Sequence, residues 1–286
     1  MDNTAKRRLI FVSGLSGAGK SVVLNTLEDL DFYCIDNFPI GLLETLAEQI
    51  EQYPRLIAIG INARSQESRI PELTSSLEHF RRRHIDTELI FLEADNDVLT
   101  KRYSETRRKH PFSSSIISLH DAIENEHQLL NPLVAIADLK IDTSHTTVHD
   151  LRNIIHERVS GRKSASLSIQ LISFGYKHGT PRDADFIFDV RCLPNPYWIK
   201  DLRALSGKET PVIEYLQQQS LVRKMSDQLI SFLTDWIPVF ETENRSYLTI
   251  AVGCTGGRHR SVYLIEQLAK TIQDSGKQVL VRHRDL

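Results

Sequence analysis

Gly14-Leu15-Ser16-Gly17-Ala18-Gly19-Lys20-Ser21 directly follows the apolar run Leu9-Ile10-Phe11-Val12, and apolar residues recur after it at Val22, Val23, Leu24, Leu27 and Leu30. The eight residues fit the pattern G-x-x-x-x-G-K-[ST]. A strand that ends in a glycine-rich turn and continues into a helix aims several backbone N–H groups and a helix N-terminus at one anion. Lys20 is then expected to reach the β and γ phosphates of ATP or GTP, and Ser21 to offer its hydroxyl to the Mg²⁺ that accompanies them. A glycine-rich turn with no ligand is the plainer alternative, and the strand-loop-helix setting argues against it.

Outward from this loop, apolar runs at 9–12, 32–35, 56–61, 89–92 and 139–141 alternate with helix-period stretches near 20–30, 41–52, 67–83, 96–108, 118–135 and 147–159. That alternation is the signature of a parallel sheet wrapped by helices. It predicts an α/β phosphate-loop domain with five strands over 1–159, of nucleoside-kinase-like architecture. The small, polar and basic stretch 160–166 predicts a linker. A second α/β domain is expected over 167–286, with strands at 167–174, 186–190, 247–252 and 279–282, a proline-rich loop at 193–198, and helices over 220–236 and 261–274. The unit of strand, glycine loop, hydroxyl residue and helix thus occurs twice, at 9–27 and at 247–268.

The chain has 286 residues, 41% hydrophobic and 25% charged, an ordinary globular composition that excludes disordered and fibrous classes. Its formal net charge of −2 gives no global attraction to polyanions, so any such binding must come from local patches. Cys34, Cys192 and Cys254 form no C-x-x-C pair, and reduced thiols in a cytoplasm are the simplest reading. The apolar run after Lys6-Arg7-Arg8 breaks at Ser13-Gly14, too short for a signal-peptide core, and no apolar stretch is long enough for a membrane span.

The second loop reads Gly253-Cys254-Thr255-Gly256-Gly257-Arg258-His259-Arg260-Ser261. Adjacent glycines let backbone approach a ligand, and three bases at a helix N-terminus add positive field, so a phosphate or phosphosugar is a natural guest. The same residues match Cys-x5-Arg-Ser, the pattern of cysteine-dependent phosphatases, with Cys254 as nucleophile and Arg260 as clamp. A small buried residue at a strand end is the alternative for Cys254. Lys177 and His178, between Gly175 and Gly179, are candidate anion donors, and Arg191, Asn195 and Tyr197 are candidates for hydroxyl or phosphate contacts. In the first domain Lys101, Arg102, Arg107, Arg108 and Lys109 read either as a lid over triphosphate charge or as a solvated helix face. Asp36, followed by Asn37, sits at the expected carboxyl edge of the sheet, where it holds Mg²⁺ or water or caps a turn before Pro39. Asn62, Glu93 and Asp95 follow the other strands, which leaves the metal's carboxylate open.

With both loops in hand, the chain resembles the RapZ/YvcJ family of phosphate-loop nucleotide-binding proteins. The resemblance runs through Val12 to Ser21, Phe32-Tyr33-Cys34-Ile35-Asp36-Asn37, Arg102 to Arg108, Phe188-Asp189-Val190-Arg191, Leu193-Pro194-Asn195-Pro196, and Asn244 to Gly257. It implies ATP and GTP binding with slow hydrolysis in the first domain. For the second domain it implies a phosphofructokinase-like pocket that senses a glucosamine-6-phosphate-like ligand through Lys177, His178, Arg191, Thr255, Gly256, His259 and Arg260. The family's second nucleotide motif, Asp-x-Arg-Asn, maps onto Asn62-Ala63-Arg64-Ser65 and departs at its first and last positions. Tyr197 stands where the family's RNase adapter has histidine, and the adapter's basic tail has no counterpart here.

The reading that results is a cytoplasmic regulatory ATPase/GTPase, with a homo-oligomer expected. Hydrolysis rests on Lys20, on Mg²⁺ held through Ser21, on Arg102 and Arg107 as lid cations, and on Asp36 as the candidate catalytic carboxylate. Two other classes stay open. One is an adapter for a small RNA and an RNase, for which six basic residues against three acidic ones over 258–286 offer phosphate-backbone contacts. The other is a small-molecule kinase or a cysteine-dependent phosphatase.

Overall fold

The computed structural model describes residues 7–62, 69–106, 109–113, 116–160, 167–243 and 245–286. The chain divides into two compact units, Met1–Ser164 and Ala165–Leu286.

In the first unit the apolar runs become β1 (Arg8–Gly14), β2 (Tyr33–Ile35), β3 (Leu56–Gly60), β4 (Asp86–Glu93) and β5 (Leu139–Asp142). They form one parallel sheet in the order β2-β3-β1-β4-β5. Central parallel strands are covered on both faces and so read as unbroken apolar runs; β1 is buried at every position after Arg8. The helices are α1 (Lys20–Glu28), α2 (Leu43–Gln49), α3 (Ile70–Arg82), α4 (Asn96–Thr106), α5 (Leu119–Ile136) and α6 (Val148–Ser160). Phe80 of α3 is fully buried with its ring centroid 5.9 Å from that of Phe11 in β1. Such burial stabilises by about 2–3 kcal/mol per large side chain. Because β1 lies between β3 and β4, the chain leaves its carboxyl end toward both sides of the sheet. Ligands of open α/β sheets bind at that reversal of strand order.

Capping fixes where two of these helices begin. Ser118 Oγ accepts from Asp121 N–H at 3.2 Å, and its own hydroxyl reaches Asp121 Oδ2 at 2.6 Å. Thr147 and Asp150 repeat the arrangement ahead of α6, with Thr147 N–H donating to Asp150 Oδ2 at 2.8 Å. These reciprocal bonds satisfy first-turn amides and hold the β5–α6 connection in one shape.

The second unit has a four-stranded parallel sheet in the order β7-β8-β6-β9, from β6 (Ser168–Gly175), β7 (Phe186–Asp189), β8 (Tyr247–Cys254) and β9 (Val279–His283). The helices α7 (Thr210–Gln218), α8 (Ser220–Thr242) and α9 (Arg260–Asp274) build its main core through Val212, Leu216, Leu229, Leu233, Leu264 and Leu268. Sequence reasoning missed α7, because Gly207 and Pro211 punctuate its start. Pro211 occupies the first turn, where a missing N–H costs nothing. It also ended α8 near Trp236, whereas the helix runs through Pro238 to Thr242.

Among the described residues no helix is long and apolar enough to cross a membrane.

Candidate functional site

The turn after β1 is shaped by glycine at three left-handed positions, with φ of 137° at Gly14, 87° at Gly17 and 109° at Gly19. Gly14 also pairs in register with Leu92, and a Cβ there would stand 2.1 Å from the Leu92 carbonyl oxygen. No other residue fits. Leu15 N–H donates to Leu92 O at 3.0 Å, and Ala18 N–H to Leu15 O at 3.1 Å, so the loop curls back over the end of β1. Helix α1 begins at Lys20.

Lys20 Nζ folds onto that loop and donates to Gly14 O at 2.7 Å and Leu15 O at 3.1 Å. Burial lowers its pKa, while the charges of Glu126 and Asp36 act to raise it. Arg102 of α4 is tied across the loop: Nη1 donates to Gly17 O at 3.1 Å and Thr143 Oγ1 at 3.0 Å, and Nη2 to Thr143 O at 2.7 Å. The loop and these residues border a cavity of about 550 Å³, lined also by Thr146 and Thr147 of the β5–α6 connection and by Leu151 of α6. That volume lies within the range of small-molecule and cofactor sites.

The structure distributes the expected nucleotide residues unevenly. Gly17, Ala18, Gly19, Lys20, Ser21 and Arg102 line the cavity. Asn62 does not; its side-chain amide donates to Asn37 Oδ1 at 3.1 Å. Ala63, Arg64, Ser65 and Arg107 lie outside the described residues. The β5–α6 connection, which sequence reasoning left unassigned, supplies Thr143, Thr146 and Thr147 to the cavity lining. Asp36 and Ser21 are both exposed, and Asp36 Oδ1 accepts from Asn37 N–H at 2.7 Å. An exposed hydroxyl and an exposed carboxylate suit Mg²⁺, which takes oxygen ligands and keeps several waters.

Glu126 was not foreseen. It is fully buried on α5, and its carboxylate accepts from Ser16 N–H at 2.8 Å and Ser16 Oγ at 2.7 Å. The sequence signal was a lone acid inside the apolar stripe Ala122, Ile123, Leu130 and Leu133.

In the second unit, Gly175 packs so tightly against Gly256 that a Cβ at 175 would stand 2.6 Å from the Gly256 carbonyl carbon. Lys177 N–H donates to Thr255 O at 3.2 Å, which joins the loop after β6 to the loop after β8. Arg260, the first residue of α9, is 3% exposed. Its Nη1 donates to the carbonyls of Arg191 at 2.8 Å and Leu193 at 2.9 Å, and its Nη2 to Thr255 Oγ1 at 3.2 Å. Its Nε is buried with no partner. Arg191 is held by Asp189, with Nη2 2.7 Å from Oδ2, and its guanidinium carbon stands 3.9 Å from the Tyr176 ring centroid. Lys177, Arg191, Thr255, Gly256 and Arg260 are thus gathered at one carboxyl edge, with His178 exposed on the 3₁₀ turn Tyr176–His178.

His259 is 6% exposed, its Nε2 meets Leu202 O at 3.1 Å, and burial foremost lowers its pKa. The basic surface expected for RNA is smaller than composition implies. Lys277 pairs with Glu241 at 2.7 Å, and Arg284 is folded onto Asp285 and the carbonyl of Gly179, which leaves Arg258 and Lys270 exposed and Arg282 half-buried.

The two glycine loops, each set between a buried parallel strand and a helix, the first of them a phosphate loop by its sequence, define a two-unit α/β protein. Family models agree in both halves: the RapZ-like N-terminal domain matches residues 7–163 and the RapZ C-terminal domain matches 167–286. A protein of Pseudomonas fluorescens named nucleotide-binding protein is 50% identical over 98% of this chain and 99% of its own length. One of the same name from Marinobacter nauticus is 47% identical over 98% of this chain and 97% of its own. The chain belongs to the RapZ family. Among solved structures, shikimate kinase from Acinetobacter baumannii in complex with shikimate is 14% identical over 55% of this chain and 95% of that one, with a TM-score of 0.40, too slight a likeness to bear on chemistry.

Proposed function

We propose that the protein is a nucleotide-binding regulator that hydrolyses ATP and GTP slowly in its first unit and binds a sugar phosphate of the glucosamine-6-phosphate kind in its second. The observation that carries the second half is the buried, unpartnered Nε of Arg260 inside a strand, glycine loop and helix. A guanidinium anchored by Nη1 with a free Nε suits a phosphate oxygen, the acceptor for which arginine's planar fork is built.

In the first unit Lys20 leaves the carbonyls of Gly14 and Leu15 for the β and γ phosphates, where an ammonium offsets the charge that develops as the terminal bond breaks. Arg102, tethered through Thr143, keeps a second cation over the loop. Ser21 and Asp36 would hold Mg²⁺, which supplies further charge neutralisation and orients the phosphates. Free thiols at Cys34, Cys192 and Cys254 fit a reducing cytoplasm.

Calorimetric titration of the full chain with Mg-ATP, Mg-GTP and glucosamine-6-phosphate, together with turnover of labelled ATP, tests the proposal. Two independent binding events and slow phosphate release are expected. Failure of the sugar phosphate to bind would remove the sensor half, and phosphate release no faster than in buffer would remove the hydrolase half.

One observation favours a second reading, a cysteine-dependent phosphatase. Cys254 Sγ lies 3.2 Å from Ser261 Oγ, and although burial pushes the thiol up, Ser261, Arg260 and the Gly257 amide outweigh it and bring the thiol below its ordinary value. Against it, Cys254 is only 3% exposed.

A further inference from the structure

Glu126 is an expensive residue where it stands. It is 0% exposed in the apolar stripe of α5, where leucine would pack without desolvating a charge. Every named bond to its carboxylate comes from the phosphate loop or from His110: Ser16 N–H at 2.8 Å, Ser16 Oγ at 2.7 Å and His110 Nε2 at 3.3 Å. Phe112 N–H donates to His110 Nδ1 at 3.2 Å, which assigns the ring proton to Nε2. Burial favours the neutral carboxyl, yet His110, Ser16 and the Lys20 charge together hold it below its ordinary value, so it stays ionised.

This fixed anion lies directly behind the loop that is to receive phosphate. Its charge favours the Lys20 ammonium, as does that of Asp36, against the burial that disfavours it. A bound nucleotide draws Lys20 to its β and γ phosphates. A triphosphate brings more negative charge to this end of the loop than a diphosphate does, and a carboxylate as deeply buried as Glu126 is weakly screened from it. The site therefore opposes the terminal phosphate with one charge while attracting it with another.

We propose that Glu126 is a specificity-determining counter-charge: by opposing the terminal phosphate, it sets the balance between nucleoside triphosphate and nucleoside diphosphate. The effect is to keep the loop from filling with triphosphate alone, so that occupancy follows the ratio of the two nucleotides. The inference deepens the nucleotide reading above and rests on the phosphate loop being the nucleotide site, but it does not depend on hydrolysis.

The test is calorimetric titration of the full chain with ADP and with the non-hydrolysable triphosphate AMP-PNP, each with Mg²⁺. Glu126→Gln, which keeps the shape and removes the charge, is expected to tighten the triphosphate by about tenfold and to change the diphosphate by less than about threefold. Glu126→Asp, which keeps the charge and shortens the reach, is expected to retain the wild-type ratio even where both affinities fall. Glu126→Leu completes the apolar stripe and serves as a second neutral variant should the glutamine form fold poorly. Neutral variants that shift both nucleotides equally would overturn the proposal and leave Glu126 as a prop for Ser16. Lys20→Ala separates the two failures: if it binds both nucleotides as the wild type does, the phosphate loop is not the site at all.

Discussion

Cys254 Sγ stands 3.2 Å from Ser261 Oγ and so ties the last residue of β8 to the second residue of α9. The contact closes an eight-residue segment, Cys254 to Ser261, that joins strand to helix as the loop after β1 does. The two differ in where the cation sits. Lys20 folds over its loop from the first residue of α1, whereas Arg260 lies buried at the first residue of α9 with Nη1 committed to two backbone carbonyls.

Arg260→Ala is expected to weaken binding of glucosamine-6-phosphate by about 1.5–3 kcal/mol, the worth of a hydrogen bond between a charged donor and an anion. Cys254→Ser, which keeps a small polar group at the strand end, should leave that affinity nearly unchanged. Calorimetry on both variants measures this. Should the serine variant alone eliminate a phosphomonoesterase activity present in the wild type, the cysteine would be a nucleophile and the sensor reading would lose.

Lys20→Ala should abolish magnesium-nucleotide hydrolysis while leaving glucosamine-6-phosphate binding as it was. The two measurements read different units, Met1–Ser164 and Ala165–Leu286. Hydrolysis at the wild-type rate in the mutant would take the loop out of the mechanism.

Glu88→Gln should cost about 1–3 kcal/mol of stability, because it takes the charge out of a charge-assisted hydrogen bond whose acceptor is buried. Glu88 is 1% exposed on β4, and its Oε1 accepts from Arg8 Nε of β1 at 2.9 Å. Chemical denaturation of wild type and variant checks the size; a loss below about 1 kcal/mol would place the pair among surface-like bridges.

RNA affinity near physiological salt is expected to be micromolar or weaker, on the scale of non-specific binding. With Lys277 and Arg284 already engaged within the protein, few basic side chains remain to release counterions, and the salt slope should be shallow. Filter binding across a salt series decides; nanomolar binding with a steep slope would mean that the exposed Arg258 and Lys270 have further partners on the same surface.

What the sequence by itself determined is local. Unbroken apolar runs marked β1, β3 and β4 because strands covered on both faces need no polar alternation. Glycines at 14, 17 and 19 marked the phosphate loop because its backbone turns left-handed there. The family followed from these motifs, read along one chain. Tertiary structure decided which groups meet. Glu126 reaches Ser16 across 110 residues of sequence, and no spacing rule connects them. His259 and Arg260 are adjacent bases with equal claim to an anion in the sequence; folding turns one ring toward Leu202 O and leaves the other with an unmatched donor. The β5–α6 connection came to line the cavity at the phosphate loop because β5 was laid beside β4 on the outer side of β1. Periodicity and turn chemistry act over a few residues, whereas the pairing of a buried charge is settled only when distant elements pack and water is excluded between them.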